Sequence, residues 1–163
     1  MMSAPALTDE RRAMIFFESR PVPLKGENRM GLQVAIRMGC KVFISPSKPL
    51  PQNATVSDMD LQNTARSRVR VAVKNSGAAT FRANGTVQVL DKTGSIVAQG
   101  ALTSAQILPE AERNLWFNLP TPLPVGNYVI KAIVDYGAKV SLGGELKTKV
   151  TASAASNAAA PQE

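Results

Sequence analysis

The segment from Gly31 to Pro46, GLQVAIRMGCKVFISP, constrains the chain more than any other. Leu32, Val34 and Ile36 stand at alternate positions, Arg37 and Lys41 follow, and an apolar run closes against a proline. Successive side chains of a strand point to opposite faces, so aliphatic residues at period two predict a strand with one apolar face. Left unpaired at a sheet edge, such a strand offers backbone groups and side-chain anchors to a strand of another protein. That suits binding rather than catalysis.

Composition narrows the chemistry. Aromatic residues make up only 5% of the 163, so a core has to rest on Val, Leu, Ile and Ala, which favours a thin sandwich. The formal charge is +7 and the chain has no histidine, which removes the commonest general base, metal ligand and pH switch together. Cys40 is the single cysteine, so an intrachain disulfide is impossible, and a lone thiol in an apolar strand reads as a small buried hydrophobe. The opening MMSAPALTDERR has no apolar core of a secretory signal, and no segment reaches the roughly 18–20 apolar residues of a transmembrane helix. A chain that starts at Met1 is on this reading expected in the cytoplasm.

Residues 1–12 are small, polar and unpatterned and read as a flexible lead. Met14 to Glu18, MIFFE, fits a short buried strand, stopped by Pro21 and Pro23, which lack a ladder donor. A charged, glycine-bearing turn over Lys25 to Arg29 leads into the alternating strand. Residues 13–46 thus read as two strands, which are marginally stable by themselves and must lean on the rest of the chain or on a partner. Residues 47–55 form a proline-rich, stiffened linker.

Residues 56–151 read as all-β. Val69, Val71 and Val73 alternate with polar positions and stop at Asn75-Ser76-Gly77. Thr86 to Leu90 alternates again, turns through Asp91-Lys92-Thr93-Gly94 and resumes at Ser95-Ile96-Val97, a hairpin pattern. Leu115, Phe117 and Leu119 alternate with Asn114, Trp116 and Asn118. Tyr128, Ile130, Ala132 and Val134 follow a proline-rich turn, and Leu146, Thr148 and Val150 close the series. Seven or so short strands at this spacing predict an immunoglobulin-like β-sandwich. Tyr128 reads as a plain core aromatic or as a corner tyrosine whose hydroxyl meets the backbone. Residues 152–163 are small and polar and read as a disordered tail.

No catalytic constellation emerges. The acids are scattered among turns and edges, and a carboxylate pair works only where the fold converges it. Asp58 and Asp60 share a strand side but lack a third oxygen ligand for calcium, so they read as a solvated face. Arg66, Arg68 and Arg70 form a basic stripe that Lys147 and Lys149 extend if their strands share a sheet. Without interleaved exposed aromatics it reads as a solvated, aggregation-resistant face rather than a nucleic-acid site. Gly143-Gly144 reads as a turn between strands. Lys41, set in an apolar run, needs solvent or a partner carboxylate, and its plain reading is a snorkelling edge lysine.

Taken together, MIFFESRPVPL and ENRMGLQVAIRMGCKVFISP resemble the end of the N-terminal domain of PapD-like periplasmic chaperones of the chaperone/usher pilus pathway. The resemblance covers residues 12–46. It implies that the Gly31 to Pro46 strand is the last strand of a first immunoglobulin-like domain, here a partial one, and that its aliphatics are donated into the groove of an incomplete subunit. Leu32, Val34 and Ile36 would be the donor residues, and Lys41 the lysine that anchors the subunit's C-terminal carboxylate. The family's further strands and first-strand arginine have no match ahead of Met14, so the expectation is either a truncated or misannotated reading frame or a half-domain completed by another copy or another protein.

The expectation is a non-enzymatic protein, without cofactor or metal, that binds pilus or surface-fibre subunits by strand addition in the periplasm. The alternative is a structural or adhesive immunoglobulin-like surface protein that self-associates through its N-terminal strands.

Overall fold

Valine at every second position of Arg68 to Asn75 dictates a sheet with one apolar face, and an apolar face has to be covered by a second layer. The computed structural model describes residues 8–20, 34–64 and 67–151. Leu32, Arg66, the connection at 21–29 and the tail at 152–163 lie outside the described residues. Every strand pairing among the described residues is antiparallel, and the fold is all-β. The chain divides into two units between Leu50 and Pro51.

The first unit holds β1 (Arg11–Glu18) and β2 (Arg37–Ile44), which form a two-stranded sheet. The second holds β3 (Ala54–Gln62), β4 (Arg68–Asn75), β5 (Phe81–Leu90), β6 (Ile96–Ile107), β7 (Glu112–Asn118), β8 (Gly126–Asp135) and β9 (Leu142–Val150). Its sheets run β3-β4-β7 and β6-β5-β8-β9. The chain changes sheet after β4, β6 and β7, so the two sheets are woven together as a β-sandwich. Pro51 and Asn53, in the stretch read as linker, accept backbone bonds from Ala78, Ser76 and Gly77 and so fasten to the turn after β4.

Alternation fills the core from both sheets. Val69, Val71, Val73, Leu115 and Phe117 come from one, and Val87, Val89, Ile130 and Val134 from the other, all buried. Lys131, Ile133 and Asp135 take the outward positions of β8. Glycine sets how closely the strands approach. A Cβ on Gly85, at the β5 irregularity, would collide with the Ile133 carbonyl, and one on Gly100 would enter the Phe117 ring.

Polar side chains bind the ends of the sandwich. Asn75 is fully buried and fully used: its amide donates to the carbonyls of Ala79 (2.8 Å) and Ile107 (3.1 Å), and its oxygen accepts from the Gly77 N–H (2.9 Å). Asn63 joins the turn after β3 to the turn before β8 through two 3.0 Å bonds with the Leu123 backbone. Between β5 and β6 the Asp91 carboxylate accepts from the Thr93 hydroxyl and from the N–H groups of Thr93 and Ser95. The Thr93 hydroxyl, helped by those amides, holds the Asp91 carboxyl below its ordinary value. Its contribution is present above the ordinary carboxylate range and is lost as pH falls through the lowered value.

The Tyr128 hydroxyl donates to the Pro124 carbonyl at 2.9 Å while its ring lies in the core. Of the two readings of this residue, the geometry is that of the corner tyrosine. Tyr128→Phe keeps the ring and leaves a part-buried carbonyl without its donor, so it is expected to cost about 1–2 kcal/mol. Urea unfolding measures this; an unchanged midpoint would show that the bond contributes nothing to stability.

Candidate functional site

The hairpin's register fixes which side chains share a face. Arg12 stands opposite Phe43, Met14 opposite Lys41, Phe16 opposite Gly39 and Glu18 opposite Arg37. These rows make a mixed face. On the reverse, Ala13 opposes Val42, Ile15 opposes Cys40 and Phe17 opposes Met38, and apart from Arg11 at the end this face is wholly apolar.

Both strands are largely open to solvent. Phe16 is 54% and Phe17 55% exposed, which corrects the expectation that MIFFE is buried. The cause is the two-stranded sheet itself: an apolar pair of strands buries its side chains only against another layer. For the same reason Cys40, expected to be a buried hydrophobe, is exposed. β1 also begins at Arg11, inside the stretch read as a flexible lead, because Arg11 and Arg12 pair with Ile44 and Phe43.

The expected binding residues divide between ladder and approach. The ladder of β2 starts at Arg37, so Val34 and Ile36 precede it rather than lie within a strand from Gly31. Ser19 ends the ladder: its N–H donates to the Ile36 carbonyl and its hydroxyl accepts the Ile36 N–H, both at 2.9 Å. Val34 and Ile36 are 59% and 57% exposed. Lys41 is exposed, stands opposite Met14 and has no ion-pair partner among the described residues. Continuing the alternation of β2 through Ile36 puts Val34 and Ile36 on the apolar face and Lys41 on the mixed one.

Sequence reading missed the mixed face. The Arg37 guanidinium lies 4.2 Å from the centre of the Phe16 ring, a cation–π contact, and Gly39 leaves room for Met14 and Phe16 beside it. The signal was available in the alternation of Arg12, Met14, Phe16 and Glu18. Without the register it could not be matched to Lys41.

The basic stripe of the second unit is tied down within its own sheet. Arg70 pairs with Asp58 and reaches Asn114 at 3.4 Å. Arg68 bonds Gln62 at 2.7 Å and lies 4.0 Å from the centre of the Trp116 ring. The Arg70 guanidinium holds the Asp58 carboxyl below its ordinary value. Lys147 and Lys149 do not extend this stripe, because β9 belongs to the other sheet. Gly143 and Gly144, expected in a turn, lie inside β9, and a side chain on Gly144 would press on Met59.

Among the described residues no group of three or more His, Cys, Asp or Glu is placed to hold a metal, and no helix is long and apolar enough to cross a membrane. Neither a protein-family model nor a curated protein matches the sequence.

The open apolar face predicts a reactive thiol. Cys40 in the folded chain is expected to alkylate with iodoacetamide at a rate close to that of the urea-unfolded chain. Strong protection in the native protein would show that this face is covered.

Proposed function

We propose that the chain is a non-enzymatic, chaperone-like protein that binds pilus or surface-fibre subunits by strand addition through its N-terminal hairpin. One observation carries this reading: among the described residues β2 pairs with β1 alone, so its outer edge lacks a neighbour while aliphatic side chains leading into it stand exposed. A partner lacking one strand of its own sandwich gains ladder hydrogen bonds from that edge and fills its open core with the donated side chains. Leu32, Val34 and Ile36 are the anchors in this proposal. Lys41 takes a terminal carboxylate and fixes the register of the added strand.

The second unit fits the same reading as an immunoglobulin-like sandwich. Its support is the arrangement of three strands against four and the corner bond of Tyr128. On this reading the protein acts in the periplasm, and client release proceeds by exchange of strands. The reverse face, apolar apart from Arg11 and with Cys40 exposed on it, also favours the alternative of self-association through the hairpin. Sedimentation over a tenfold range of protein concentration separates the two.

The decisive variants are Ile36→Asp and Lys41→Ala, assayed by capture of a fibre subunit that lacks its last strand. Ile36→Asp is expected to weaken capture at least about 30-fold, the roughly 2 kcal/mol of a binding hot spot, without changing the unfolding of the second unit. Lys41→Ala is expected to cost about tenfold or more, as for a hydrogen bond to a charged group. Wild-type capture by both variants would contradict the reading.

A further inference from the structure

We propose that β9 is a self-complementary edge, through which the second unit pairs with a second copy of this chain in an antiparallel, two-fold arrangement; the proposal does not depend on the hairpin. β9 pairs with β8 along its whole length and, among the described residues, with no other strand, so its outer edge carries a free row of backbone groups. β3, the edge strand beside it in the other sheet, is interrupted by an irregularity between Val56 and Asp58, a device that keeps edges from pairing. β9 keeps a regular register from Leu142 to Val150 and has no such interruption.

The charges of β9 select one register for the added strand. Glu145, Lys147 and Lys149 stand on its exposed face, and none has an ion-pair partner among the described residues, where Arg70 and Asp58 form the one salt bridge. Lys131 of β8 stands opposite Glu145 and does not bond it. A two-fold axis through Leu146 overlaps all nine residues of each β9. It sets Glu145 opposite Lys147 of the second copy and Lys147 opposite the second copy's Glu145, two cross-strand pairs of opposite charge. A shift by two residues, the smallest that keeps like faces together, brings Glu145 onto Glu145 or Lys147 onto Lys147.

The same register uses the two glycines of the strand. Gly143 faces Lys149 of the second copy and, having no side chain, opens a groove of about 430 Å³ beside Ile133, which is 57% exposed. The aliphatic stem of that lysine covers Ile133 while its ammonium stays in water. On the other face Leu146 meets Leu146 of the second copy beside a groove of about 350 Å³ lined by Val56, Met59 and Gly144.

Sedimentation equilibrium of the full-length chain from about 1 to 100 µM at low salt tests this. Wild type is expected to form a dimer as concentration rises. Glu145→Lys and Lys147→Glu each turn both attractive pairs into repulsive ones and are expected to weaken dimerisation at least about tenfold. Both side chains are exposed, so the unfolding midpoints are expected to stay at the wild-type value. An equimolar mixture of the two single variants, and the double exchange Glu145→Lys with Lys147→Glu in one chain, each recreate two pairs of opposite charge and are expected to associate within about threefold of wild type. Wild type that stays monomeric throughout overturns the proposal, as does a mixture that stays dissociated. Single variants that dimerise like wild type overturn it too, and that is the result association through the hairpin predicts.

Discussion

Each β-strand carries two edges of backbone N–H and C=O groups, and what satisfies the outer edges governs everything else in this protein. In the second unit the central strands β4, β5 and β8 are paired on both sides, and the edge strands of the two sheets lie against each other. The Thr103 hydroxyl of β6 accepts the Trp116 N–H of β7 at 2.9 Å, so one backbone donor of an edge strand is used across the seam. On the other side Gly144 of β9 admits Met59 of β3. Among the described residues of the first unit two strands pair only with each other. The same backbone physics that closes the sandwich therefore leaves the hairpin with edges to offer.

How far the sequence revealed this depended on burial contrast. β4 and β8 could be read in full, because Val69, Val71 and Val73, and Tyr128, Ile130, Ala132 and Val134, enter one core while most of their neighbours are more exposed on the other face, Ala72 being the buried exception. β6 could be read only at its start. Twelve residues long, it runs through Gln99, Gly100, Thr103 and Ser104, and only Leu102 and Ile107 are fully buried, so an edge strand of small and polar residues gave little period-two signal. The hairpin failed differently. Its alternation was visible, but the point where pairing stops is set by Ser19, whose side chain takes the Ile36 amide in place of a further ladder bond. Which residues Arg12 and Lys41 stand opposite depends on a register across the intervening residues, which no local pattern encodes.

Electrostatics sharpen the contrast between the units. The arginines of β4 are held by Asp58, Asn114, Gln62 and Trp116, which compose a sheet face that satisfies itself. The cations at one end of the hairpin have apolar residues opposite them instead. A self-satisfied face resists unwanted association. Arg12 and Lys41, by contrast, have no ion-pair partner among the described residues.

Hydrogen exchange of the β2 amides that point away from β1 tests this account most directly, measured on the chain alone and with a fibre subunit lacking its last strand. The account predicts fast exchange in the free protein and slowing confined to those amides when the subunit is present. Protection of the same amides in the free protein, or no change on adding the subunit, would contradict it.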